Sequence, residues 1–142
     1  MNVLSVEGLT KRYSGFALED VSFTLGEGRI MGLIGRNGAG KTTALKSILG
    51  MIKPQGGRIT VLGHELPGGE AACKQEMGVV LGGIDFYMQK RLSDITSATR
   101  RFYPAWDAGA YSRHMARFGL DEHKRVNELS AGMRVKYLIT LA

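Results

Sequence analysis

Residues 33–50 read LIGRNGAGKTTALKSILG, and residues 35–42 within them match the pattern G-x-x-x-x-G-K-[ST] without a gap. The glycines at 35, 38 and 40 let the backbone turn tightly and approach an anion closely. The successive N–H groups of such a loop form a concave nest for phosphate oxygens, and the positive end of the helix that follows lies at the same place. This stretch therefore predicts a phosphate-binding loop.

The residue types that end the loop indicate what the phosphates belong to. The Lys41 ammonium is expected to bridge the β- and γ-phosphates of a nucleotide as a mobile point charge. The Thr42 hydroxyl is expected to be a Mg²⁺ ligand, and Thr43 can donate to the α-phosphate. The predicted nucleotide contacts are Gly35, Arg36, Asn37, Gly38, Ala39, Gly40, Lys41, Thr42 and Thr43. On this motif alone the protein could be a kinase, a GTPase, a motor or a transporter ATPase.

The flanking sequence predicts strands around the loop. RIMGLIG at 29–35 and MGVVLG at 77–82 are nearly continuous apolar runs, which are typical of buried central strands. Alternating or glycine-bounded patterns predict further strands at 3–9, 19–25 and 57–63, a turn at 13–16 and a short helix within 66–76. A helix is predicted from about Lys41 to Gly50, with Leu45, Ile48 and Leu49 as its apolar stripe.

Helices are predicted to dominate the second half of the chain. Residues 92–119 read as helical with a break at 103–107, and Asp107 is predicted to be an N-cap. Tyr111, Met115 and Phe118 follow at helical spacing. Ser130 is predicted to begin a last helix, with Met133, Tyr137 and Leu141 on one side. The predicted organisation is a β subdomain and phosphate-loop core over 1–82 and an inserted helical subdomain over 83–142.

Two further motifs carry a resemblance to a known family. LSAGM at 129–133 resembles the signature motif of the ATP-binding cassette (ABC) ATPases, and Tyr13 in LTKRYSGFALEDVSFTL is similar to the aromatic residue that stacks on adenine in that family. The order of elements is also similar, and the resemblance covers essentially the whole chain. It implies an α/β fold: a P-loop NTPase core of ABC type with an antiparallel β subdomain and an inserted helical subdomain.

The resemblance implies a function and partners as well. In these ATPases two domains pair head to tail, and the signature residues, here Ser130 and Gly132, cap the γ-phosphate of the ATP held by the partner's loop. The implied function is binding of ATP and Mg²⁺ and, in the complete protein, hydrolysis coupled to transport through a separate permease at the cytoplasmic face of the membrane. FYPAWD at 102–107 and the segment 117–133 resemble a bacterial branch with separate permeases, often exporters.

The sequence departs from the family pattern in places. The signature has Ala131 and Met133 where glycine and glutamine are common. The glutamine that should follow the run at 77–82, near Gly82 or Gly83, is absent; Asp85 is either its stand-in or a plain loop residue. Phe86 and Tyr87 either face the permease or pack within the helical subdomain.

The family's carboxylates and switch histidine, which follow the signature helix, are not among these 142 residues. We therefore expect a partial domain, truncated after the signature motif and lacking the C-terminal part of the core, with exposed apolar edges and no catalytic residue of its own. Such a chain is expected to bind nucleotide weakly and hardly to hydrolyse it.

The amino-acid composition excludes several kinds of site and partner. One cysteine, Cys73, excludes an internal disulfide framework and a thiolate metal cluster. The sequence contains no signal peptide pattern and no apolar run long enough to span a membrane. The net charge of +6 favours polyphosphate ligands, and no nucleic-acid partner is expected because the basic residues are scattered. The alternatives are a soluble ABC protein that acts on ribosomes or nucleic acid, and a catalytically inactive nucleotide-binding fragment.

Overall fold

The computed structural model describes residues 1–82 and 85–142 of the chain. It divides into two compact units, residues 1–76 and residues 77–142. No helix among the described residues is both long enough and apolar enough to cross a membrane.

The first unit is a four-stranded antiparallel sheet with two short helices. Its elements are β1 (Asn2–Tyr13), β2 (Phe16–Gly26), α1 (Lys41–Ile48), β3 (Gly56–Val61), β4 (His64–Leu66) and α2 (Glu70–Gln75). The strand order is β2-β1-β3-β4. The strands and helices predicted at 3–9, 19–25, 57–63, 66–76 and from Lys41 are thus confirmed as element types. The sheet buries the apolar residues Val6, Leu9 and Ile59, which are at most 1% exposed. Val6 and Leu9 depart from strict alternation, and the register of β1 against β2 shifts between them.

The apolar stripe predicted for α1 is partly wrong. Ala44, Ser47 and Ile48 are the buried residues of this helix, whereas Leu45 is 48% exposed. Two of these buried residues, Ala44 and Ser47, are small, and Ser47 Oγ donates to the carbonyl of Thr43 at 2.9 Å. Leu45 stays on the open side because nothing in the described part of the chain covers that side.

The two buried central strands predicted at 29–35 and 77–82 are not formed. Residues 29–35 belong to no ladder, and Ile30 and Ile34 are 101% and 92% exposed. Residues 77–82 are likewise unpaired in the structure, with Leu81 66% exposed. A fully apolar strand of this kind is stable when neighbours pair with its edges and layers cover its faces. Among the described residues, no strand pairs with these two segments and no layer covers their faces. The expectation of exposed apolar edges is therefore confirmed.

The second unit is helical. Its elements are α3 (Leu92–Thr99), a 3₁₀ turn (Arg100–Phe102), α4 (Ala108–Phe118), a second 3₁₀ turn (Val126–Glu128) and α5 (Ala131–Leu141). Its core consists of Leu92, Ile95, Met115, Val126, Leu129 and Tyr137, with Tyr111, Met133 and Leu141 packed against it. The predicted inner faces of α4 and α5 are therefore confirmed, apart from Phe118, which is not part of this cluster.

Side-chain caps fix where the two longer helices of this unit begin. Asp107 Oδ1 accepts from the backbone N–H of Ala110 at 2.8 Å, and Ser130 Oγ accepts from that of Met133 at 3.2 Å. The bond from Ala110 lowers the pKa of the Asp107 carboxyl from its usual value. Both caps were predicted from the sequence and both are confirmed.

Candidate nucleotide site

The loop between β2 and α1 ends at an unsatisfied helix N-terminus. Gly40 is the N-cap of α1 in the left-handed conformation, with φ of 93°, and no side chain caps the helix. The first turn of α1 also lacks an acidic residue. Since the first N–H groups of a helix have no partner within it, they and the helix dipole are available to an anion here.

The lysine of the motif is held in place by the loop itself. Lys41 Nζ donates to the carbonyls of Gly35 at 2.6 Å and Arg36 at 2.8 Å. These two bonds fold the side chain back over the loop, so that its charge lies beside the backbone rather than in open solvent. A positive charge fixed in this way needs little reorganisation when an anion binds.

Gly40 is the position where a side chain cannot be accommodated. A Cβ there would lie 2.7 Å from Cζ of Phe16 and 2.9 Å from Cδ1 of Leu18, and the positive φ is itself costly for other residues. The start of β2 therefore packs directly against the end of the loop. Phe16 is a functional candidate that the sequence analysis missed.

A cavity of about 500 Å³ opens over the loop. Its lining residues are Gly15, Phe16, Asn37, Gly38, Ala39, Gly40, Lys41, Thr42 and Thr43. Seven predicted contacts, residues 37–43, are thus brought together, while Gly35 and Arg36 contribute the carbonyls that hold the lysine. Tyr13 does not line the cavity; its ring is 48% exposed and stacks near that of Phe16, with centroids 6.3 Å apart.

The structure also bears on where Mg²⁺ could bind. Among residues 1–82 and 85–142 no group of three or more histidine, cysteine, aspartate or glutamate side chains could hold a metal ion. Thr42 offers one hydroxyl at the cavity. This donor set fits Mg²⁺ only together with phosphate oxygens and water, which is how Mg²⁺ commonly binds with nucleotides.

The signature segment lies in the second unit. Ser130 caps α5, and Gly132 lies in the first turn of that helix, exposed and with nothing within 4 Å of an added Cβ. Met133 packs against the core of the unit. The polar residue expected at position 133 is therefore replaced here by a side chain that anchors the helix.

The segment expected to carry a glutamine is only partly described, since Gly83 lies outside the described residues. Asp85 is 91% exposed, and its Oδ1 lies 3.8 Å from Nη1 of Arg134. Phe86 and Tyr87 meet edge to face at 5.4 Å and are 54% and 65% exposed. Asp85 therefore faces an arginine of α5, and the two aromatic side chains present much of their surface to solvent.

These features define a P-loop nucleotide-binding domain, and comparison with known proteins identifies its family. The ABC transporter family profile matches residues 18–142. The chain is 34% identical over 137 residues to the ABC transporter ATP-binding protein NatA of Bacillus subtilis, covering 89% of this chain and 54% of that protein. It is 32% identical over 161 residues to the phosphonates import ATP-binding protein PhnC of Wolinella succinogenes, covering 99% and 58%. This chain belongs to the ABC transporter family.

Solved structures agree. The chain superposes on an ATP-binding subunit of an ABC transporter with a TM-score of 0.84 at 28% identity, covering 99% of this chain and 61% of that one. The predicted fold class is thus confirmed. The chain spans between one half and two thirds of the length of these three relatives.

Proposed function

We propose that this chain is the ATP-binding part of a transporter subunit, and that its phosphate loop holds MgATP. The observation that carries the proposal is the uncapped N-terminus of α1 beside a lysine already held over the loop. A triphosphate supplies the negative charge that this arrangement leaves uncompensated. Membership of the ABC transporter family supports ATP as the nucleotide.

The proposed contacts follow the order of groups in the ligand. Tyr13 stacks on the adenine, the backbone of the loop holds the phosphates, and Thr42 is a Mg²⁺ ligand. The full set is Tyr13, Gly35, Arg36, Asn37, Gly38, Ala39, Gly40, Lys41, Thr42 and Thr43, with Ser130 and Gly132 acting on the ATP of a second, head-to-tail domain.

A nucleotide series tests the proposal on the 142-residue chain. MgATP and MgADP should bind at least tenfold more tightly than AMP, because each charge-assisted hydrogen bond to the β-phosphate contributes about 1.5–3 kcal/mol. Isothermal titration calorimetry gives the three dissociation constants. Equal affinity for ATP and AMP would show that the loop does not hold the β-phosphate.

Gly132 supports the use of the signature segment by a second domain, because the fold of this chain does not need a glycine there. Gly132→Ala should leave the free energy of unfolding unchanged or raise it by up to about 1 kcal/mol, since alanine favours a helix. The same change should lower the ATPase rate of the complete transporter, because a methyl group would lie between the two domains. Thermal unfolding and ATPase assays measure the two effects; a destabilised chain would mean that Gly132 has a structural role.

Hydrolysis needs groups beyond the described cavity. None of the described residues that line it is a carboxylate, and a group that orients the attacking water is required for turnover. We infer that these residues bind ATP and that the complete protein hydrolyses it. The chain alone is then a nucleotide binder with little ATPase activity.

We propose that a groove in the second unit docks on a membrane permease and that the protein acts at the cytoplasmic face of the membrane. Its cavity of about 530 Å³ is lined by Phe86, Tyr87, Lys90, Asp94, Ile95, Ala98, Thr99, Phe102 and Tyr103. Aromatic residues that surround an open apolar pocket are typical anchors of protein interfaces.

Changing Phe102, which is 73% exposed, tests this surface. Phe102→Ser in the complete subunit should reduce its co-purification with the permease severalfold, because a large apolar contact is lost. Ile139→Ser, at a 49% exposed position on α5 outside the groove, is the control. Equal recovery of both variants would contradict docking at the groove.

A further inference from the structure

Phe16 borders the phosphate-loop cavity, although it belongs to neither the phosphate-loop motif nor the signature motif. Its side chain lines the same cavity as residues 37–43, together with Gly15. The ring is only partly buried, and an added Cβ on the neighbouring Gly15 would meet nothing within 4 Å. A partly accessible apolar ring therefore lies directly beside the proposed phosphate site.

The position of Tyr13 relative to the Phe16 ring determines which of the two a bound ligand contacts first. Tyr13 and Phe16 pair across the β1–β2 hairpin, and their rings are tilted by only 26° with centroids 6.3 Å apart. Phe16 lines the cavity and Tyr13 does not. A ligand that extends from the loop towards Tyr13 thus passes Phe16 first.

One edge of the Phe16 ring lies against the phosphate loop. A Cβ added at Gly40 would lie 2.7 Å from Phe16 Cζ, so that the ring packs directly against the end of the loop at the start of α1. A side chain restrained in this way loses little conformational entropy on binding a ligand. Phe16 also offers only apolar surface, which suits a sugar or base and not a phosphate.

We propose that Phe16 is a nucleoside-binding residue: the ribose of the bound nucleotide packs on its ring, and Tyr13 receives the base beyond it. This inference rests on the proposed nucleotide site and adds the residue that contacts the part of the ligand between phosphates and base. Since the contact is apolar, it strengthens binding of the nucleoside part and leaves binding of the phosphates unchanged.

Two ligands distinguish a nucleoside contact by Phe16 from a role in which Phe16 only stabilises the phosphate loop. Titrations of MgATP and of magnesium tripolyphosphate, which has no nucleoside, are compared for the wild-type chain and for Phe16→Ala, Phe16→Leu and Met51→Ala. Phe16→Leu keeps an apolar contact with the loop and guards against misfolding of the alanine variant. Met51 is a 53% exposed apolar residue of the first unit that does not line the phosphate-loop cavity, and Met51→Ala is therefore the control for loss of an exposed apolar side chain.

Phe16→Ala should weaken MgATP binding about fivefold, because the ribose loses its apolar contact with the ring, and should leave tripolyphosphate binding within about twofold of wild type. Phe16→Leu should show a smaller loss for MgATP alone, and Met51→Ala should show no loss for either ligand. Equal losses for both ligands, or no loss for MgATP, would overturn the inference and leave the proposed function standing. A wild-type chain that binds neither ligand would overturn both.

Discussion

Replacing Lys41 with alanine is expected to weaken MgATP binding by between about tenfold and a hundredfold. The ammonium is the one side-chain cation that lines the described cavity, and two loop carbonyls hold it there. A hydrogen bond to a charged group contributes about 1.5–3 kcal/mol, which corresponds to this range of affinity. Isothermal titration calorimetry on the 142-residue chain measures the change.

The control for Lys41→Ala is Lys46→Ala. Lys46 is exposed in the last turn of the same helix and does not line the cavity. The two variants lose the same charge from the chain, so that a general effect of net charge would weaken binding equally in both. Equal affinities for the two variants would contradict a specific role for Lys41.

Tyr137→Ala is expected to lower the free energy of unfolding of the second unit by about 3–5 kcal/mol. Tyr137 is fully buried at the centre of this unit's core. Its hydroxyl lies 2.9 Å from Oγ1 of Thr96 and donates to the carbonyl of Leu92 at 2.9 Å. The change therefore leaves a large cavity and two buried polar groups without this partner. Urea unfolding followed by circular dichroism measures it.

Tyr137→Phe separates the hydroxyl from the ring. This variant keeps the packing and removes only the two hydrogen bonds, so that a smaller loss of about 1–3 kcal/mol is expected. A loss for Tyr137→Ala no larger than that for Tyr137→Phe would contradict the central packing role of the ring.

Alkaline pH offers an independent check on the same residue. Burial raises the pKa of the Tyr137 phenol above its usual value. The neutral form is therefore favoured by folding, and this contribution is complete below the unfolded pKa of about 10 and lost as the pH rises through the folded pKa. The wild-type chain should lose more stability above pH ~10 than Tyr137→Phe does.

The parts of the fold that local sequence determines were predicted well. The helix starts at Asp107 and Ser130 depend on a single side chain that bonds three residues ahead, and both form as predicted. The phosphate loop is also determined locally, because glycines, lysine and threonine at fixed spacing specify its backbone. Local chemistry of this kind needs no distant partner.

The parts that depend on distant partners were not predicted well. The apolar run at 29–35 has the composition of a central strand, but a strand forms only beside another strand, and none lies beside it in the described residues. Phe16 was missed for a related reason. Its place at the cavity follows from the hairpin that lays β2 against the loop, and nothing in its immediate sequence marks it as a ligand contact.

The most direct test of the nucleotide site is a titration of ¹⁵N-labelled chain with MgATP, followed by NMR of the backbone amides. We predict that the largest chemical-shift changes occur at the amides of residues 37–43, whose N–H groups would hold the phosphates. Changes that are absent from this loop, or that are concentrated in the second unit, would contradict the proposal that this chain binds ATP there.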